Sequence, residues 1–194
     1  MSRKIVVLCG SPRKKGNTNR VVSWFAKIAG EAGASVEIVD TARLKYKALG
    51  CTSCFKCQMS EKYECTLDDE ATPILLRLPL ADVIVFATPV YWFAPTAQLK
   101  VFSDRMLSLI KLDPGTGDYV HPMKGKSMAL IATGGGDLNS GLNCVDLTFR
   151  TAAGFMSMDY DALLIPSTGM DAREIENDEA LKEQVREFTR KLAV

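Results

Sequence analysis

The sequence predicts a doubly wound α/β fold, with five parallel strands in the order 2-1-3-4-5 and helices on both faces. Three observations lead there. Residues 4–9 are a near-continuous apolar run, as a central parallel strand covered on both faces requires. That run passes directly into a loop rich in Gly, Ser, Asn and basic residues, and then into a helical pattern. Strand-like and helix-like segments go on alternating, which implies right-handed crossovers between parallel neighbours. At 194 residues the chain suits one domain, 1–194.

The elements follow in order. After the first strand (4–9), a helix over 18–32 carries Val21, Val22, Phe25, Ile28 and Ala29 at helical spacing, and Gly33 ends it. Ser35–Val39 is the second strand. Residues 41–67 form a long insertion holding four cysteines, and loops of that length are usually functional. Asp68, Asp69 and Glu70 place negative charge before a helix over about 69–79, with Pro73 tolerable in its first turn. Val83–Ala87 is the third strand and 88–95 a loop. A helix over about 96–111 turns Leu99, Phe102, Met106, Leu109 and Ile110 inward. A turn-rich loop, 112–125, leads to the fourth strand, Ser127–Ala132. A helix over about 141–154, a strand over 159–165 and a last helix capped by Asn177 complete the pattern.

Composition excludes several function classes. Lys plus Arg (24) nearly balances Asp plus Glu (23), and a net charge of +1 leaves no basic stripe for nucleic acid. No apolar run reaches the ~18 residues of a membrane span. The N-terminal apolar run is too short for a signal peptide, so the expected location is the cytoplasm. Without export, the cysteines 51, 54, 57 and 65 read as metal-binding or redox groups rather than a disulfide framework.

Order 2-1-3-4-5 brings the loops after strands one, three and four to one sheet edge. The first, Gly10 to Asn19, offers hydroxyls, amides and the Arg13 fork at the positive end of a helix. It lacks both the triphosphate-binding Gly-x-x-x-x-Gly-Lys spacing and the dinucleotide Gly-x-Gly-x-x-Gly, so a terminal phosphate monoester remains. In the second loop Tyr91, Trp92 and Phe93 would cover the face of a ring. In the third, Gly134, Gly135 and Gly136 would let the backbone approach the ring edge. A phosphate at one end and a flat ring at the other is the shape of FMN. The bland alternatives are an ordinary strand-to-helix turn, core aromatics and a flexible glycine turn.

Gly10-Ser11-Pro12-Arg13-Lys14-Lys15-Gly16-Asn17-Thr18 resembles the phosphate loop of the NADPH-dependent FMN reductase family, which has a flavodoxin-like fold. Thr88-Pro89-Val90-Tyr91-Trp92-Phe93-Ala94-Pro95, with Leu99 to Arg105, resembles that family's second flavin loop and its helix. The resemblance covers essentially the whole chain. It implies bound FMN, a homodimer or homotetramer, and two-electron reduction of a small acceptor. Ser11, Arg13, Asn17 and Thr18 would hold the phosphate, with Asn19 beside them. Pro89, Val90, Tyr91, Trp92 and Phe93 would flank the ring, and Thr133, Gly134, Gly135 and Gly136 would line its other side.

Cys51-x2-Cys54-x2-Cys57-x7-Cys65 resembles the compact motif of the iron–sulfur flavoproteins, a branch of the same family. That implies a 4Fe–4S cluster, since closely spaced thiolates can take different corners of one cubane. Free or redox thiols and a zinc site are the alternatives. Cys9 and Cys144 read as packed residues, lone His121 as a surface group, and Asp104–Arg105 as a structural ion pair.

The sequence therefore points to an FMN-dependent oxidoreductase. Electrons would pass from NAD(P)H, or from ferredoxin through a cluster, to a small acceptor. The alternatives are a plain FMN or quinone reductase without a cluster, a non-enzymatic flavodoxin-like carrier, and a zinc-stabilised binding module.

Overall fold

The computed structural model describes residues 2–194. Its sheet takes the order β2-β1-β3-β7-β8, all parallel, with β1 Lys4–Cys9, β2 Ser35–Asp40, β3 Val83–Tyr91, β7 Ser127–Thr133 and β8 Asp159–Ile165. This is the doubly wound order the sequence predicts. Alternation along β1 divides the core in two. Ile5, Val7 and Cys9 face α1 (Asn17–Glu31) and α5 (Glu179–Ala193), where the Phe25 and Phe188 rings lie 6.3 Å apart. Val6 and Leu8 face α2 (Thr72–Arg77), α3 (Ala97–Asp104) and α4 (Asn143–Phe155), with Phe86 against Phe149 at 4.6 Å. Both layers are apolar because the sheet is covered on both sides, and each buried large side chain contributes about 1.5–3 kcal/mol.

Several elements differ from their sequence expectation. Strand β3 runs on past Ala87 to Tyr91, where a two-residue turn, Trp92–Phe93, returns the chain as β4, Ala94–Pro95. The expected loop is thus a hairpin, paired Val90 to Pro95 and Tyr91 to Ala94. The helix expected over 96–111 stops being α-helical at Asp104 and tightens into a 3₁₀ stretch, Arg105–Leu109. The turn-rich loop folds into a small hairpin of β5 (Lys111–Leu112) and β6 (Tyr119–Val120). Helix α2 begins at Thr72, so Asp68, Asp69 and Glu70 lie outside it, and Asp178 rather than Asn177 caps α5 by accepting from the Leu181 N–H.

The acidic residues instead pin the cysteine loop. Asp69 accepts from the backbone of Lys47 at 2.9 Å and Ala71 at 3.1 Å, and Glu70 accepts from Lys45 at 2.8 Å. Arg105, with no exposed side-chain surface, grips both Asp69 oxygens at 2.7 Å and donates to Thr72 Oγ1 at 2.9 Å. The sequence paired Arg105 with Asp104. In the fold Asp104 pairs with Lys100.

Candidate functional site

Four strand-end loops converge at the C-terminal edge of the sheet, where strand order reverses beside β1 and β3. They enclose a cleft of about 110 Å³ lined by Ser11, Arg13 and Thr18 from the first loop, Pro89 to Tyr91 from the hairpin, Thr133 and Gly135 from the third, and Thr168 and Gly169 after β8. A roomier hollow, about 900 Å³, lies at the opposite edge among Arg3, Lys4 and Asp82, away from these loops.

The first loop is shaped by local bonds. The Gly16 N–H closes a turn onto the Arg13 carbonyl at 2.9 Å, and a Cβ at Gly16 would sit 3.0 Å from Arg13 Cβ. Gly10 has no room for a side chain because α3 packs on it: its Cβ would lie 2.5 Å from Leu99 Cβ. Helix α1 starts at Asn17 after Gly16, with no side-chain cap and no acidic residue in its first turn. Its leading N–H groups and positive dipole end thus have no side-chain partner. Asn17 Nδ2 donates to the carbonyls of Thr168 at 2.9 Å and Gly169 at 3.2 Å. Its Oδ1 is buried and unpartnered. Thr18 Oγ1 meets Thr133 Oγ1 at 2.8 Å, joining the first and third loops. Ser11, Asn17, Thr18, Thr133 and Thr168 are all buried. All five side chains have internal partners apart from Asn17 Oδ1, which needs a donor; an anion in the cleft would meet the uncapped α1 N–H groups and the Ser11 and Thr18 hydroxyls.

Two residues sit otherwise than a direct phosphate role requires. Arg13 Nη2 donates to the Met170 carbonyl at 2.7 Å, at the rim. Asn19 supports the loop from outside: it donates to the Arg13 carbonyl at 2.9 Å and accepts from the Cys9 thiol at 3.3 Å. Burial pushes the Cys9 thiol up from its ordinary value.

The ring side is built from the hairpin and the glycine loop. Both turn residues have left-handed backbones, Trp92 at φ 48° and Phe93 at φ 61°. Tyr91, Trp92 and Phe93 are exposed, Trp92 to 92%, with Trp92 edge-on to Phe93 at 5.9 Å. The glycines divide their labour. The Gly134 N–H is bonded to the Ile165 carbonyl at 2.9 Å, and a Cβ there would press on Leu142 at 3.2 Å. A Cβ on Gly136 would lie 2.6 Å from Ser140 Cβ, whereas Gly135 borders open space. Close packing explains Gly134 and Gly136, and only Gly135 lines the cleft.

The cysteines do not converge. Ser53 and Phe55, both at positive φ, turn Cys51 and Cys54 outward. A 3₁₀ turn, Lys56–Met59, buries Cys57, and Cys65 packs against the core. Hydrogen bonds from the Lys56 backbone and the Thr52 hydroxyl hold the exposed Cys54 thiol below its ordinary value. Gln58 bonds the Ile110 carbonyl at 2.7 Å, and Lys111 bonds those of Cys57 and Ser60, so the loop is fastened down by its own side chains. Among the described residues no three Cys, His, Asp or Glu side chains are placed to share a metal ion. The expected four-thiolate set is therefore not assembled, and this placement does not fit a cubane. Cys144 is exposed on α4 rather than packed.

Sequence reasoning missed Thr168 and Gly169. Their signal was the Ser167-Thr168-Gly169 composition at the end of the fifth strand, the same edge as the other loops.

A doubly wound parallel sheet whose strand-end loops surround such a cleft defines the flavodoxin-like class. Within that class the chain belongs to the NADPH-dependent FMN reductase family, whose sequence profile matches residues 3–167. It is 36% identical over 104 residues, 54% of this chain and 46% of the relative, to an iron-sulfur flavoprotein of Archaeoglobus fulgidus. It is 28% identical over 121 residues, 58% of each chain, to an FMN-dependent NADH:quinone oxidoreductase of Hydrogenovibrio crunogenus. The chain thus spans about half the length of the curated relatives it matches. An FMN-dependent NADH-azoreductase of Bacillus anthracis, solved with FMN, superposes with TM-score 0.73 at 17% identity, covering 99% of this chain and 100% of that one. No helix among the described residues is long and apolar enough to cross a membrane.

Proposed function

We propose that the chain is an FMN-dependent oxidoreductase of the cytoplasm that takes electrons from NAD(P)H and reduces a small acceptor such as a quinone. One observation carries the reading: an α1 N-terminus with no side-chain cap and no acidic residue in its first turn, opening beside the Ser11 and Thr18 hydroxyls into a cleft that faces an aromatic hairpin. Bound FMN would supply the hydride chemistry, so no side-chain acid or base is required.

The residues have separable tasks. Ser11 and Thr18 hydroxyls and the first α1 N–H groups would hold the phosphate, with Arg13 swinging from Met170 to join them. Asn17 ties the α1 terminus to the loop after β8 and so fixes the cradle. Pro89 to Phe93 would flank the ring on one side, and Thr133 to Gly136 its other, with Gly135 the nearest approach. Exposed Tyr119 and Phe155, paired at 5.4 Å beside an apolar groove between α3 and α4, support assembly as a homodimer or homotetramer.

A second reading is favoured by the cysteine spacing and by relatives named iron-sulfur flavoproteins. In it the 51–65 loop rearranges to hold a 4Fe–4S cluster fed by ferredoxin. One preparation, purified without oxygen, tests both. Its visible spectrum, iron, sulfide and NAD(P)H:quinone turnover are measured together. Flavin bands with turnover and no iron are the expected result. About four irons per chain would establish the second reading. No flavin, even after FMN is added, would overturn both.

A further inference from the structure

The two walls of the ring site touch each other at Gly141. This glycine interrupts the wide turn, Leu138–Leu142, that leads into α4, with φ at 111°. A Cβ there would lie 2.7 Å from Val90 Cγ1 and 3.0 Å from Phe93 Cα, which belong to the aromatic hairpin. The turn is itself fixed to the glycine loop, since Asp137 accepts from the N–H and hydroxyl of Ser140 at 2.9 and 2.7 Å. Ser140 in turn fills the space a Gly136 side chain would need.

We propose that Gly141 is a positioning residue for the flavin ring: it interlocks the aromatic hairpin with the glycine loop and so sets the width of the ring slot. The proposal rests on the FMN reading. A Cβ this close to Val90 and to the Phe93 backbone has no room, so a methyl group must move the hairpin and the Leu138–Leu142 turn apart. The interlock also accounts for Trp92 and Phe93 keeping left-handed backbones, which bulky residues adopt only where surroundings hold them. The hairpin is then a fixed shelf rather than a swinging lid.

Three variants isolate this role. Gly141→Ala adds the methyl group together with backbone strain. Val90→Ile pushes on the same contact from the hairpin side and leaves residue 141 untouched, so it carries the test should Gly141→Ala fail to accumulate. Gly117→Ala adds strain alone, because Gly117, at φ 77°, borders open space in the small β5–β6 hairpin. FMN affinity is read by quenching of flavin fluorescence, ring environment by visible circular dichroism, and the phosphate cradle by the rise in unfolding temperature with inorganic phosphate. Gly141→Ala and Val90→Ile are expected to lose on the order of tenfold in FMN affinity, or more, with an altered flavin dichroism. Phosphate protection stays at the wild-type level, and Gly117→Ala binds FMN normally. Unchanged FMN affinity and dichroism in either folded slot variant overturn the proposal, as does equal loss of phosphate protection. Failure of wild-type protein to bind FMN would instead overturn the functional reading beneath it.

Discussion

A guanidinium with no exposed surface needs its counter-charge inside the fold, and Arg105 has Asp69. Burial alone would raise the Asp69 carboxyl, but the Arg105 fork and the N–H groups of Lys47 and Ala71 outweigh it and hold it below its ordinary value. A depressed carboxyl contributes stability that is complete above its unfolded value, about 3.9, and is lost as pH falls through the lower folded value. Asp69→Asn leaves the guanidinium buried against a neutral partner. At neutral pH it should unfold about 3–5 kcal/mol more easily in urea. The wild-type and variant stabilities should then converge in strong acid. Parallel curves down to low pH would deny the pair its role. The sequence showed Asp69 only as one of three acids before a helix. Its partner lies 36 residues away, and nothing local marks that meeting.

At the scale of an element, the aromatic hairpin is the least expected piece. Residues 88–95 read as a loop, and their two prolines, Pro89 and Pro95, cannot donate to a ladder. The strand nevertheless continues, since Pro89 sits opposite Thr133 and Pro95 lies on a two-residue edge strand. Turn chemistry gave no help either. A two-residue hairpin turn with both φ positive ordinarily takes Asn-Gly, and here it takes Trp-Phe. That local conflict marks a position kept for something other than stability. The indole of Trp92 is almost wholly exposed, so removing it forfeits little packing. Trp92→Gly should therefore be more stable than Trp92→Ala by about 1 kcal/mol, the reverse of the usual order, because glycine has no penalty at φ 48°. Thermal unfolding of the two proteins decides it. Alanine equal to or above glycine would mean that the turn relaxes and stores no strain.

For the whole molecule, the apolar pattern made the sheet order and both helical layers legible, because burial on two faces leaves a continuous signature along β1, β3 and β7. Contacts between distant loops were not legible. Asn17 reaching Thr168 and Gly169, and Gly141 against Phe93, depend on how strand ends meet in space. Those contacts make the cleft a product of the entire fold, so its ligand should stabilise the entire fold. A ligand that binds only the native state, at one hundred times its Kd, adds about 2.7 kcal/mol. For a chain of this size that raises the unfolding temperature by roughly 5–10 °C. FMN should do so. Riboflavin, with the same ring but no phosphate, leaves the N–H groups of the α1 terminus without an anionic partner, so at equal concentration its shift should be much smaller. Equal shifts would place the binding energy on the hairpin and the glycine loop alone, and would remove the phosphate role from Ser11, Thr18 and the α1 terminus.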